Sequence, residues 1–190
     1  RKDMPPPQML LALTGLICGI EGALLSLLPS TLADPQRFRL AGLLLYQGLL
    51  LPPVLGIGSF IFPRMLGGDF GDPASPQEAR NKQARTIVAA VLLVGSFFLE
   101  AYGTPLAGYA LRAVTATAYL LLEIRWRKAE SDPPRGSLAA GMQWSLITGF
   151  CGLALAGFFY AQRISIEHLL YIGGFGLWPR PSRARRSARA

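Results

Sequence analysis

The chain has 190 residues, of which 51% are hydrophobic and only 16% are charged, and its formal net charge at pH 7 is +8. Soluble domains average about 25% charged residues, whereas here the apolar residues form blocks of about twenty, enough for a helix to cross a bilayer of roughly 30 Å. This composition excludes an ordinary soluble domain. Helices satisfy their own backbone hydrogen-bonding groups in lipid, so the membrane-spanning segments are expected to be helical. The composition predicts an all-α, polytopic transmembrane helix bundle.

Six membrane spans are predicted in chain order, at residues 9–28, 40–62, 86–102, 106–124, 142–161 and 164–177. Fifteen of the 19 Lys and Arg residues fall in the N-terminus, the C-terminal tail and the two loops of one side, and three fall on the other side. Cytoplasmic segments carry the excess of positive charge. The pattern therefore predicts that both termini are cytoplasmic, an N-in/C-in topology.

Two domains are expected, a transmembrane helical domain at residues 1–177 and a tail at residues 178–190. The tail contains only Trp, Pro, Arg, Ser and Ala, with five Arg. One interpretation is a basic anchor that contacts anionic headgroups. The interpretation that we favour is a disordered segment from a reading frame that shifts near Leu177. Neither interpretation indicates nucleic-acid binding.

The connections and small residues predict how the spans pack. The segment YGTP predicts a tight turn between the third and fourth spans, whereas GGDFGDPASPQEARNKQ predicts turns and flexible links. Gly15, Gly19 and Ala23 lie at a spacing of four residues, which indicates a helix–helix interface. Pro52 and Pro53 predict a kink, which either admits a polar group or ligand to the backbone or only shapes the bundle.

Several polar residues lie at membrane depth, where a charged side chain costs roughly 2.5–3.5 kcal/mol on insertion scales. We expect them to line the bundle interior: Glu21, Tyr46, Gln47, Glu100 and Arg112. Glu100 and Arg112 are placed to form an ion pair, although Arg112 could instead extend outward to the interface by itself. Glu123 is expected to be an interface residue beside Arg125 and Arg127.

The chain has two cysteines, Cys18 and Cys151, and one histidine, His168. Both cysteines lie in apolar runs, which favours small buried hydrophobic residues over a disulfide or metal site. Imidazole suits haem and copper, yet a lone His near a helix start is more often an interfacial or hydrogen-bonding residue. With no motif of a soluble enzyme, the sequence supports no enzyme class, and any metal stays unknown.

Three segments in order resemble the NnrS family of bacterial membrane proteins: LLLYQGLLLPPVLGIGSFIFPRMLGG, GSFFLEAYGTPLAGYALRAVTATAYLLLE and RISIEHLLYIGGFGL. The resemblance implies a multi-pass protein of the bacterial inner membrane that acts in the response to nitric oxide and nitrosative stress. It also implies haem and copper as cofactors, with His168 as the one ligand that carries over. The chain departs from the family in lacking His-rich N-terminal helices and in replacing the apolar continuation after GGFG.

Other functions stay open at this point. The chain could be a transporter or channel subunit whose polar residues line a pathway, or a non-functional fragment. The expected partner is the lipid bilayer, with no nucleic acid. A homo-oligomer or a missing N-terminal half would supply further contacts.

Overall fold

The computed structural model describes residues 6–65 and 75–123, with the backbone alone for residues 62–65. The predicted fifth and sixth spans, His168 and the tail lie outside these ranges. Within the described ranges the chain forms helices and no strand. Four stretches there are long and apolar enough to cross a membrane: Met9–Ser26, Pro35–Ile61, Pro76–Tyr102 and Pro105–Glu123. They correspond to the first four predicted spans, which confirms the all-α membrane prediction for this part of the chain.

The first helix, α1 (Met9–Ser26), packs through a face of small residues. Gly15 and Gly19 are buried as predicted, but Ala23 is exposed and Gly22 takes its place in the interface. A Cβ at Gly22 would lie only 2.5 Å from the backbone nitrogen of Leu45. Glycine therefore lets α1 reach the backbone of the second span at this crossing.

The second span follows a single turn, α2 (Pro29–Leu32), and contains three consecutive helical parts. These are α3 (Pro35–Gly42), a π-helical segment (Leu43–Gly48) and α4 (Leu49–Met65). The span begins five residues before the predicted start at residue 40, because Asp34 caps it. Its Oδ1 accepts hydrogen bonds from the backbone N–H groups of Gln36 (2.9 Å) and Arg37 (3.4 Å), and Pro35 suits the first helical position.

The two prolines of the second span lie inside α4, and the helix continues through them to Met65. A proline has no N–H, so the carbonyl groups of Gly48 and Leu49 receive no α-helical hydrogen bond from Pro52 and Pro53. The π-helical segment ends at Gly48, immediately before this gap. Gly15 of α1 lies against the ring of Pro53. The packing of α1 here favours the interpretation in which the prolines shape the bundle.

The third and fourth spans form a helical hairpin of α5 (Pro76–Tyr102) and α6 (Pro105–Glu123), joined by Gly103 and Thr104. This short connection confirms the predicted YGTP turn. The prediction of turns and flexible links before the third span was wrong for residues 76–83, which are helical. Ser75 explains the early start, since its Oγ accepts a hydrogen bond from the backbone N–H of Glu78 (3.1 Å) ahead of Pro76.

The helices alternate in direction, so the described bundle has two ends. The hairpin end contains residues 27–34 and 103–104, and the opposite end contains Gln8, Met65, Pro76 and Glu123. A buried apolar cluster lies nearer each end, one around Phe97 and one around Leu93. Large apolar side chains on the outer faces of all four stretches are exposed, among them Ile17, Val91 and Val114. These outward apolar faces indicate a protein embedded in lipid.

Candidate functional site

An ion pair between Arg112 and Glu100 lies inside the bundle, near its hairpin end. Nη2 of Arg112 is 2.9 Å from Oε2 of Glu100, and both side chains are 0% exposed. The helices approach closely here, since a Cβ at Gly108 would lie 2.6 Å from the Cβ of Glu100. The structure therefore shows the predicted pair, and Arg112 does not extend outward by itself.

The Arg112 guanidinium has partners at its edges and on its faces. Nε donates to Oγ of Ser96 at 3.2 Å, and Nη1 donates to Oε1 of Gln47. The rings of Phe97 and Tyr109 lie 4.6 and 4.8 Å from Cζ of Arg112. Hydrogen bonds and cation–π contacts thus hold the guanidinium in one orientation inside the bundle, where the side chain is fully buried.

The second span joins this site through Arg39 and Gln47. Nη2 of Arg39 donates to Oε1 of Glu100 at 3.3 Å, with the Arg39 side chain 29% exposed. Nε2 of Gln47 donates to the hydroxyl of Tyr109 at 3.3 Å. Polar side chains from α3, the π-helical segment, α5 and α6 thus form one connected set, called the arginine cluster below: Arg39, Gln47, Ser96, Glu100, Tyr109 and Arg112.

The π-helical segment explains why Gln47, and not Tyr46, belongs to the arginine cluster. In a regular α-helix seven residues make about two turns, so Tyr46 would share the face of Arg39. The π-helical segment is wider, as shown by the N–H of Leu49 bonding to the carbonyl of Leu44, five residues earlier. Each residue there rotates the chain by less than in an α-helix. Gln47 consequently takes the inner face, and Tyr46 is 69% exposed.

Three of the five polar residues predicted to line the bundle come together, namely Gln47, Glu100 and Arg112. Glu21 lies exposed on α1, and Tyr46 lies exposed on the π-helical segment, so neither joins the arginine cluster. Their role as lining residues stays a prediction, as does the role of His168.

Sequence reasoning missed the other members of the arginine cluster. The predicted second span starts at residue 40 and leaves Arg39 outside it, although the Asp34-Pro35 helix start would have placed Arg39 on the span. Ser96 lies one turn before Glu100, and Tyr109 lies one turn before Arg112. Residues at these spacings share a helix face, so the predicted Glu100–Arg112 pair implies that Ser96 and Tyr109 lie beside it.

A second polar set, called the tyrosine cluster below, lies at the opposite end: Ser59, Lys82, Arg85, Thr86, Tyr119 and Glu123. The Tyr119 hydroxyl is 3.5 Å from Oγ of Ser59 and 3.4 Å from Oγ1 of Thr86. Oε1 of Glu123 accepts a hydrogen bond from Nε of Arg85 at 2.9 Å, and Nζ of Lys82 is 3.7 Å from Oε2. Glu123 was expected at the interface beside Arg125 and Arg127, and the structure pairs its buried side chain with α5.

Within residues 6–65 and 75–123, no group of three or more His, Cys, Asp or Glu side chains is placed to hold a metal ion. Cys18 is a free, buried thiol in the apolar cluster around Phe97. This placement confirms the prediction of a small buried hydrophobic residue for Cys18, whereas Cys151 lies outside the described ranges.

Comparison with known proteins gives one match. The family model described as NnrS protein matches residues 6–178, which includes every predicted span. No protein of curated function and no solved structure matches the chain. The family match covers far more than half of the 190 residues and contains the three segments quoted for the resemblance. The chain therefore belongs to the NnrS family.

Proposed function

We propose that the protein acts in the response of a bacterium to nitric oxide, as a multi-pass protein of the inner membrane. The family match over residues 6–178 carries the proposal, because the resemblance links the family to nitrosative stress. The apolar outer faces of α1, α5 and α6 support a location in lipid. An N-in/C-in topology is part of the proposal. It is supported by Arg80, Lys82 and Arg85, which cluster at the opposite end of the bundle.

Haem and copper belong to the proposal through the family alone. The described residues do not fit either cofactor, since they include no histidine and no group of three metal-ligating side chains. The single thiol among them, Cys18, is buried among apolar side chains. His168 is the proposed haem ligand. We derive no chemical step through either cofactor.

The arginine cluster is the part of the described structure on which we expect the function to depend. It joins the α5–α6 hairpin to the second span through side chains that are almost all buried. A charged group inside a membrane protein costs free energy on insertion. Such residues generally take part in the function or position the helices that form the functional site. We propose that Arg112 positions the helices that the nitric oxide response requires.

The test is complementation of a deletion strain exposed to a nitric oxide donor. The plasmids carry the wild-type chain, Arg112→Ala, Arg37→Ala or no insert, and immunoblots of membranes report the amount of protein. Arg37 is the matched control, because its pair with Asp34 is exposed at the surface. We expect the wild type and Arg37→Ala to restore growth and Arg112→Ala to fail. Hydrogen peroxide serves as the control stress, and we expect all four strains to grow equally in it.

Equal growth of the wild-type and empty-vector strains in the donor would refute the proposed function. The cofactor is tested on the same plasmids, by purifying the full chain in detergent from haem-supplemented cells. A Soret band that weakens in His168→Ala would support the proposed ligand. A chain without Soret absorbance would exclude haem, and an unchanged band in the variant would exclude His168.

A further inference from the structure

The Glu100 carboxylate is held between two arginines that come from different helices. Its Oε2 is 2.9 Å from Nη2 of Arg112 on α6, and its Oε1 is 3.3 Å from Nη2 of Arg39 on α3. Each carboxylate oxygen thus contacts a guanidinium of its own. We propose that Arg39 and Arg112 form a binding site for a small, planar, monovalent oxyanion, and that Glu100 is a tethered occupant which keeps the site closed.

The Arg112 guanidinium has partners besides Glu100 that hold its orientation. Ser96 accepts the hydrogen bond of Nε and Gln47 accepts that of Nη1, while the rings of Phe97 and Tyr109 contact the guanidinium faces. The N–H groups of Nη2 are the ones directed at the carboxylate. If the carboxylate moves away, Arg112 therefore stays in position with these donors directed at the vacated space. A donor held in place in this way binds an anion without a further loss of side-chain freedom.

The size and shape of the occupant define the class of ligand. A carboxylate is planar, carries a single charge and offers two oxygen atoms, a geometry that guanidinium groups match closely. Formate is the smallest carboxylate and reproduces this group without the tether. A tetrahedral dianion is both larger and more highly charged, and the rings of Phe97 and Tyr109 bound the space around Arg112. Sulfate is therefore expected to bind more weakly than formate.

The site lies close to the hairpin end of the bundle. Glu100 is two residues before the last residue of α5, Tyr102, or roughly 3 Å along the helix axis. The Arg39 side chain is partly exposed, and it contacts Oε1 of the Glu100 carboxylate. A small anion can thus approach along Arg39 from the membrane surface without crossing the apolar layer, and displace the Glu100 carboxylate by exchange at the two arginines.

Thermal unfolding of the purified full chain in detergent tests the site. The variants are Glu100→Ala, Arg39→Gln/Glu100→Ala and, as a matched control, Glu123→Ala, which removes the carboxylate that Arg85 and Lys82 share at the opposite end. Midpoints are measured in sodium formate, chloride and sulfate at equal ionic strength. Ligand that binds the folded state raises the midpoint, so a titration gives an apparent Kd.

We expect a saturable, formate-specific rise for Glu100→Ala, with an apparent Kd at least about ten times lower than for the wild type. Removing the second arginine by adding Arg39→Gln to that variant should abolish most of the rise, and Glu123→Ala, which keeps the arginine cluster intact, should respond to formate no more than the wild type. The wild type should respond to formate only at high concentration, yet more than to chloride. If Glu100→Ala does not fold, Glu100→Ser is measured in its place, because its short polar side chain also leaves the space between the two arginines open.

Two results would overturn the proposal. Equal effects of formate and chloride on Glu100→Ala would show that the arginines do not form an oxyanion site. A wild-type chain that responds equally to both salts would show that Glu100 is not displaced. Neither result depends on growth in nitric oxide, so this test and the complementation test succeed or fail separately.

Discussion

The arginine cluster and the tyrosine cluster lie in the same bundle and use polar side chains in different ways. In the arginine cluster, both members of the Arg112–Glu100 pair are 0% exposed and aromatic rings contact the guanidinium. In the tyrosine cluster, Glu123 is buried but its cationic partners Arg85 and Lys82 are 38% and 16% exposed. The Arg112–Glu100 pair is thus closed inside the bundle, whereas both cationic partners of Glu123 reach toward solvent at the end of α5.

This difference in exposure predicts different losses of stability when a charged side chain is removed from each cluster. Removing one member of a buried ion pair leaves an unpaired charge in a medium of low dielectric, which destabilises strongly. An exposed cation can be hydrated when its partner is lost, and the pair contributes little. The arginine cluster should therefore be sensitive to single substitutions and the ion pairs of the tyrosine cluster should tolerate them.

The largest expected effect is that of Arg112→Met, which removes the buried charge while keeping an apolar side chain in its place. It removes the buried cation beside Glu100 and leaves the partly exposed Arg39, and we expect a loss of about 3–5 kcal/mol in the free energy of unfolding. The matched variant at the other end is Glu123→Met, which leaves Arg85 and Lys82 with access to solvent, and for it about 1 kcal/mol or less is expected. Equilibrium unfolding in mixed detergent measures both, and equal losses would contradict the comparison.

The double variant Arg112→Met/Glu100→Met sharpens this result. Replacing both members of a buried ion pair by apolar side chains is often neutral or stabilising. We therefore expect the double variant to recover most of the stability lost by Arg112→Met. Recovery would mean that the charges are retained for specificity or binding. A double variant as unstable as the single one would show instead that the pair itself stabilises the bundle.

The sequence predicted the first four spans well, because length and apolar composition decide whether a helix can cross lipid. It predicted the pairing of Glu100 with Arg112, since the short YGTP turn fixes the register of α5 against α6. It placed both Tyr46 and Gln47 in the bundle interior, and it did not predict that Gln47, rather than Tyr46, contributes to the arginine cluster from the inner face. That contribution depends on a π-helical segment, and hydropathy does not register a change in rotation per residue.

The starts of the second and third spans were also missed, for a related reason. The Asp34-Pro35 and Ser75-Pro76 pairs begin helices through local capping hydrogen bonds, which extend them beyond their apolar stretches. Arg39 and Arg85 therefore lie on helices and reach buried carboxylates, although a hydropathy profile assigns both to loops. Capping signals read together with hydropathy would have placed both.

An intermediate effect is expected at the close approach of α5 and α6 beside the arginine cluster. In Gly108→Ala the new Cβ would lie 2.6 Å from the Cβ of Glu100 and 2.8 Å from the Ser96 carbonyl oxygen. Because backbone atoms must move, we expect a loss of about 1–3 kcal/mol in the free energy of unfolding. Gly95→Ala is the control, since nothing lies within 4 Å of a Cβ there. That variant should be neutral or gain up to about 1 kcal/mol. Similar losses for both would argue against a close contact.

The smallest expected effect is that of Tyr119→Phe in the tyrosine cluster. The Ser59 hydroxyl already donates to the Gly56 carbonyl and the Thr86 hydroxyl to the Lys82 carbonyl, each at 2.9 Å. Removing the Tyr119 hydroxyl therefore leaves no buried donor without an acceptor. Hydrogen bonds between membrane helices average about 0.6 kcal/mol, and we expect a loss of that order, against about none for the exposed control Tyr102→Phe. A loss as large as that of Arg112→Met, in the same unfolding measurement, would mean that the tyrosine cluster is as closed to water as the arginine cluster.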